Sequence, residues 1–333
     1  MTTGVILLNL GGPDSLQAVR PFLYNLFSDR QIIQLGPSFM QTPLAWLISK
    51  VRSKKTEQYY KLIGGKSPIL DITKAQAKAL EDCLNAELGT QNSELSFKVF
   101  IAMRYWRPFI EDVIPDIYND GIRNVIALSL YPQYSVTTSG SSISKLKEIA
   151  VDGKMKIIYI SSWHNHPLYI DALVDVIKKG IESFAVNTKR KTQNAEHEVH
   201  VLFSAHSLPQ KIIDEGDPYA EQTVETILEI TKKIPIKWHL SYQSKSGPVK
   251  WLEPSTEETI KELAAEGVKY LLVVPISFVS DHIETLYEID ILYKTFAEKL
   301  GMQLKRTESL NTHPLFIEAL KDMVMQNLAE KGW

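Results

Sequence analysis

Residues Tyr270 to Asp290 read YLLVVPISFVSDHIETLYEID. The stretch opens on an apolar run, Leu271 to Ile276, of the kind carried by a parallel strand buried on both faces. It breaks at Ser280-Asp281. Beyond the break, polar and apolar residues alternate at helical spacing: Asp281, His282, Glu284 and Glu288 against Ile283, Leu286, Tyr287 and Ile289. In open α/β sheets, ligands sit outside the carboxyl ends of the strands. The stretch thus predicts a buried strand that delivers one imidazole and three carboxylates to the place where such folds do chemistry. A plainer reading stays open. Asp281 can be a helix N-cap with Glu284 as its capping-box partner, and Glu288 can sit on a solvated face.

The rest of the chain repeats this unit. Strands are predicted over 4–10, 97–103, 123–130, 155–160, 199–204 and 237–242, with a last short one over 302–306. Helices are predicted over 16–27, 71–88, 109–120, 167–184, 218–232, 255–266 and 314–330. Strands that alternate with helices argue for parallel sheets joined by right-handed crossovers. Residues 108–128, PFIEDVIPDIYNDGIRNVIAL, also align without a gap on 254–274, PSTEETIKELAAEGVKYLLVV. Pro108/Pro254, Glu111/Glu257, Ile114/Ile260 and Gly121/Gly267 are identical. One helix–Gly–strand unit used twice predicts two similar Rossmann-like domains. We place them at 1–160, with the C-terminal helix at about 314–330, and at 161–310. A cleft between such domains is where pockets form.

Composition narrows the class. The chain has 333 residues, 44% hydrophobic and 23% charged, with net charge −2. That is ordinary for a globular protein and argues against binding nucleic acid through phosphate contacts. No apolar run reaches the roughly 18 residues of a membrane span. The N-terminus MTTGVILLNLGG has no basic region and runs into a strand, unlike a signal peptide. The single cysteine, Cys83, leaves no internal disulfide, no cysteine-rich zinc site and no cysteine-ligated iron–sulfur cluster. A cytoplasmic location fits.

Residues 37–55, PSFMQTPLAWLISKVRSKK, interleave Phe39, Met40, Leu44, Trp46, Leu47, Ile48 and Val51 with Lys50, Arg52, Lys54 and Lys55. Such a segment suits a membrane interface or the doorway of a greasy ligand. It equally suits a core-facing helix. Among the eight histidines, His197 and His200 lie in or beside the polar stretch 186–198 and read as exposed. His164 and His166 can be a surface pair, and His239 and His313 carry no cluster. His206 stands out, because it follows a buried strand between Ala205 and Ser207 with Pro209 fixing the turn. Paired with the carboxylates of 281–288, it suits a labile divalent cation held by nitrogen and oxygen ligands. Ser-His-Asp hydrolysis is the runner-up, although no GxSxG elbow is present.

Five motifs in order, LNLGGP at 8–13, LYPQYS at 130–135, SAHSLP at 204–209, YQSKSGPVKWLEP at 242–254 and SDHIETLYEID at 280–290, resemble the ferrochelatase family. The resemblance runs from about residue 4 to about 325. It implies insertion of Fe²⁺ into a porphyrin with release of two protons. By position, it implies His206 as base or metal ligand and Glu284 as its acidic partner across the cleft. Asp281, His282 and Glu288 would form an acidic path behind them. Leu10, Tyr60, Arg104, Tyr105 and Trp251 would line the porphyrin pocket, with Arg104, Lys245 or Ser135 toward the propionates. No cofactor beyond the substrate iron is implied, and the C-terminal [2Fe–2S] cluster of some family members has no cysteines here. Residues 8–13 and 37–51 resemble the protoporphyrin IX type, with coproporphyrin III or another tetrapyrrole as the alternative. Peripheral membrane contact would run through 37–51. A non-catalytic porphyrin or haem carrier is the alternative from a different class.

Overall fold

The computed structural model describes residues 2–89, 95–150, 153, 155–186, 198–245, 247 and 249–332. The polar stretch 187–197 with His197, and Ser246 and Pro248 of the 242–254 motif, lie outside the described residues. The chain divides into two compact units. One is Met1–Trp163 with Asn311–Trp333, and the other is His164–Leu310.

The first unit carries a parallel sheet of β1 (Thr2–Asn9), β2 (Ser96–Met103), β3 (Asn124–Ser129) and β4 (Lys156–Ile160), in the order β2-β1-β3-β4. The two inner strands explain the unbroken apolar runs. Every residue of β3 is buried, as is every residue of β1 after Thr2, because helices cover both faces. On one face, Ile6, Leu8, Val125 and Ala127 pack on Ile110, Val113, Ile114 and Ile117 of α4 (Ile110–Asn119) and on Ile143 and Leu146 of α5 (Ser141–Ile149). Burying each such side chain contributes about 1.5–3 kcal/mol. The C-terminal helix α11 (Pro314–Lys331) belongs to this unit. It meets α3 (Ile69–Gly89), where the Cys83 thiol donates to Glu318 at 3.1 Å. Two further helices, α1 (Val19–Ser28) and α2 (Ser38–Leu62), complete the unit.

The second unit repeats the plan with β5 (Val199–His206), β6 (Lys237–Gln243), β7 (Tyr270–Pro275) and β8 (Gln303–Arg306), in the order β6-β5-β7-β8. Its helices are α6 (Pro167–Val186), α7 (Gln210–Asp214), α8 (Tyr219–Lys233), α9 (Thr256–Ala265) and α10 (Lys294–Lys299). Leu202, Leu271 and Val273 pack against Ile260 and Leu263 of α9 and Ala297 of α10. The sequence repeat is a structural one. In both units a proline backbone carbonyl, Pro108 or Pro254, accepts from the strand residue Met103 or Tyr242. In both, a glycine with positive φ, Gly121 at 76° or Gly267 at 88°, ends the helix, where a side chain would be strained.

Three local features depart from the sequence pattern. The Ser/Thr-rich segment after β3, over which no element is predicted, forms a π-helical turn, Val136–Gly140, that runs into α5. The segment after β7 is a ten-residue π-helix, Glu284–Tyr293, entered at Ile283 without a side-chain cap. The Asp281/Glu284 capping box is therefore absent. Finally, α2 is not core-facing in the usual sense. Its buried positions are Gln41, Ala45, Ser49, Ser53 and Tyr60, while Phe39 (77% exposed), Val51 (70%), Leu47 and Trp46 face outward.

Candidate active site

Strand β5 runs two residues further than its apolar pattern suggests, because Ala205 and His206 pair with Tyr242 and Gln243 of β6. His206 is thus the last residue of a central strand, at the carboxyl edge of the sheet. Its backbone is fixed at both ends of the peptide unit: its N–H donates to Ser277 Oγ at 3.0 Å, and its carbonyl accepts from the Tyr219 hydroxyl at 2.9 Å. Ser277 and Tyr219 also bond each other at 2.6 Å. The imidazole Nδ1 lies 2.9 Å from Glu284 Oε2. Expected to face His206 across the cleft, Glu284 instead belongs to the same unit and touches it directly. Since an ionised carboxylate only accepts, His206 keeps a proton on Nδ1 in either charge state; in the neutral imidazole Nε2 carries the lone pair, and it has no hydrogen-bond partner among the described residues.

The π-helix sets the carboxylates. Its i→i+5 bonding is rare and frequent at functional sites. Glu284 and Glu288, four residues apart, lie on one side of it. Glu284 Oε2 also accepts from Gln243 Nε2 at 3.2 Å, while Oε1 lies 3.9 Å from His282 Nε2. That His282 nitrogen is buried and has no hydrogen-bond partner. The Phe278 ring sits between the two imidazoles, with centroids 6.0 Å from His206 and 4.2 Å from His282. Glu288 accepts from Ser244 Oγ at 2.6 Å.

Charges follow from these contacts. Burial would raise the Glu284 carboxyl, but the charge and hydrogen bond of His206 dominate and hold it down at about 2. Burial likewise works against the His206 imidazolium, and Glu284 outweighs it, so His206 is raised above its ordinary value. Burial lowers His282. Burial and then the negative charge of Glu284 raise Glu288 to about 7. Two carboxylates one turn apart are thereby split, one ionised and one able to carry a proton near neutrality. The unfolded chain loses the Glu288 proton above the ordinary glutamate value of 4.5, and the folded chain keeps it until about 7. Glu288 therefore lowers stability progressively across that window and fully above it. Glu288→Gln is expected to raise the melting temperature at about pH 8 and leave it unchanged near pH 4. Equal changes at both pH values would refute the shift.

Asp281 turns away from the pair. It bonds Arg306 Nη1 at 3.0 Å, Ser309 at 2.8 Å and Thr285 at 3.1 Å, and Arg306 also holds Asp290 through two nitrogens at 3.0 and 2.8 Å. With the Arg306 side chain only 10% exposed, Arg306→Leu leaves two carboxylates unpaired. It is expected to cost about 3 kcal/mol in urea unfolding. A loss under about 1 kcal/mol would mark the cluster as solvent-screened.

Trp251 is brought to this edge. It bridges to Pro209, and Leu252 and Lys250 bond the backbone at Leu208 and Gln210. In the first unit, Arg104 and Tyr105 follow β2, and Leu10 follows β1. Tyr105 and Tyr60 are 1% and 3% exposed, so neither presents an open ring. The Tyr105 hydroxyl donates to Asp29 at 2.7 Å, as Arg104 Nη2 does at 2.8 Å. Arg104 Nη1 has no protein partner among the described residues. Ser135 is buried and caps the π-turn by accepting from Thr137 N–H. Lys245 sits 3.9 Å from Glu253.

Sequence reading passed over Gln243, Ser244, Ser277, Tyr219 and Arg306. Only the place of Gln243 and Ser244, directly after a strand, pointed to them. His200, read as exposed, and His239, read as carrying no cluster, are half-buried and form a pair, with nitrogens 2.9 Å apart and rings tilted by 9°. His164 bonds Glu225 at 2.5 Å. Among the described residues no group of three or more His, Cys, Asp or Glu side chains is arranged to hold a metal.

The fold is that of the chelatases. The chain aligns with SirB from Bacillus subtilis with Fe³⁺ at TM-score 0.56, with 12% identity over 100% of this chain and 98% of that one. It aligns with the sirohydrochlorin chelatase SirB from Bacillus subtilis subspecies spizizenii in complex with cobalt at TM-score 0.51, with 13% identity over 98% and 95%. Sequence narrows the class. The ferrochelatase family model matches residues 2–328. The chain is 49% identical to the ferrochelatase of Geotalea uraniireducens over 99% of both chains. To that of Gloeothece citriformis it is 47% identical, over 99% of this chain and 84% of that one. The chain belongs to the ferrochelatase family. It is a metal chelatase of haem biosynthesis, with ferrous iron and a porphyrin as substrates.

Proposed function

We propose that His206 is the base of metal insertion and Glu284 its acidic partner. The observation that carries this is the 2.9 Å contact at Nδ1, which in the neutral imidazole leaves the Nε2 lone pair without a partner among the described residues. Two pyrrole protons must leave as Fe²⁺ enters the ring. His206 Nε2 takes one, and the resulting imidazolium is stabilised by the Glu284 carboxylate. Glu284 Oε1, beside His282, and Glu288, poised near neutral pH, offer the next proton positions toward solvent. His206 Nε2 and Glu284 Oε1 also suit a ferrous ion held by few ligands and so easily surrendered. Asp281, tied to Arg306, supports the π-helix more than it carries protons. Anaerobic turnover with Fe²⁺ or Zn²⁺ and porphyrin tests the reading. Porphyrin binding without any metalloporphyrin formed would make the protein a carrier.

Protoporphyrin IX is our assigned substrate. The outward apolar residues of α2 favour the more apolar ring, and Trp46 is flanked by Arg20 and Lys50 at 5.3 and 5.1 Å. In the second unit, Trp251, at the same sheet edge as His206, is the residue we assign to the ring. Turnover in competition decides, since preference for coproporphyrin III would reverse the assignment. The same outward face of α2, with Lys50, Arg52, Lys54 and Lys55, suits peripheral contact with anionic lipid. Among the described residues no helix is long and apolar enough to cross a membrane. Flotation with anionic liposomes is expected to carry the protein, and Trp46→Glu with Val51→Glu to abolish it. No flotation of the native chain would limit α2 to a substrate-facing role.

A further inference from the structure

Gln243 lies beside His206 in the β5–β6 register, and both reach the same oxygen, Glu284 Oε2. An amide has two unlike ends, so which end faces the carboxylate matters. Glu284 is ionised and only accepts, hence the Gln243 NH₂ must face it. The Gln243 carbonyl then faces Ser204, whose hydroxyl donates to it at 2.6 Å. A hydroxyl has one proton, so Ser204 must accept at its other contact, Thr256 Oγ1 at 3.1 Å. Thr256 in turn accepts from Ser241 at 2.9 Å. Every donor direction in this chain is forced. Ser241, Thr256, Ser204 and Gln243 are each no more than 2% exposed, so no solvent competes for them. The next residue continues the arrangement. Consecutive strand residues point to opposite faces, yet Ser244 adopts φ 68°, a strained conformation for a residue other than glycine. This turn lets its hydroxyl reach Glu288 while Gln243 reaches Glu284.

We propose that Gln243 is a positioning residue for Glu284, locked as a donor by the buried chain Ser241–Thr256–Ser204, and that the Ser244 hydroxyl holds Glu288 beside it. The inference rests on the reading of His206 and Glu284 given above. A loose Gln243 amide could present its oxygen to Glu284, repel it and swing the carboxylate off His206. Thr256 touches neither His206 nor the carboxylates, so its hydroxyl acts only through the chain.

Steady-state insertion of Zn²⁺ and Fe²⁺ by three variants tests this. Gln243→Leu is expected to lower kcat about tenfold or more, the size of a lost hydrogen bond to a charged group, with the porphyrin KM within about twofold of native. Thr256→Val, which keeps shape and removes the hydroxyl, is expected to lower kcat about threefold, and Thr256→Ser to restore it. Circular dichroism and porphyrin fluorescence quenching check folding. If Gln243→Leu does not fold, the Thr256 pair decides alone. A kcat within about twofold of native in Gln243→Leu or, failing that, in Thr256→Val overturns the inference. If His206→Ala also keeps native turnover, the reading of the site fails. If His206→Ala is inactive while these variants are not, only the positioning role fails.

Discussion

His206→Ala is expected to lower kcat/KM for metal insertion about 10²–10⁴-fold, the range of a lost general base. Porphyrin binding, read by fluorescence quenching, is expected to stay close to native. The reasoning is local. The side chain is 31% exposed, and its backbone bonds to Ser277 and Tyr219 do not involve the ring. Its loss therefore spares the strand end and removes only the imidazole. The lost partner also leaves Glu284, with a side chain 12% exposed, without the charge that holds it ionised. Turnover within about tenfold of native would remove His206 from its assigned role.

Glu284→Gln is expected to lower kcat about 10²-fold with a smaller change in porphyrin KM. The new amide oxygen can still accept from His206 Nδ1, so the tautomer survives. What disappears is the negative charge that favours the imidazolium after it takes a proton. Losing that charge also lets Glu288 ionise at lower pH, since Glu284 is the second cause of its elevation. The double variant with His206→Ala is expected to be about as slow as the slower single one, because the two groups act as a unit. Additive losses would show that the two residues act in separate steps.

Much of the scaffold is legible in the chain because β1, β3, β5 and β7 are buried on both faces, and such strands write themselves as apolar runs. The duplicated unit is legible for a related reason: the glycine that stops each helix is required by its positive φ. His206 and Glu284 were found from their place after strands. The contact between them was not. A capping box is a pattern of four neighbouring residues, and it misled at Asp281 because the winning partner, Arg306, comes from β8. Gln243 carries no charge, and its importance arises from a chain of four side chains on β5, β6 and α9. The π-helix leaves no mark in composition, because one more residue per hydrogen-bonded ring changes no residue type.

Both units place a π-helical segment after the third strand of their order, Val136–Gly140 after β3 and Glu284–Tyr293 after β7. The first offers hydroxyls and glycine, the second carboxylates. The shared irregularity therefore carries no chemistry by itself; the side chains set on it decide what each unit offers at that sheet edge.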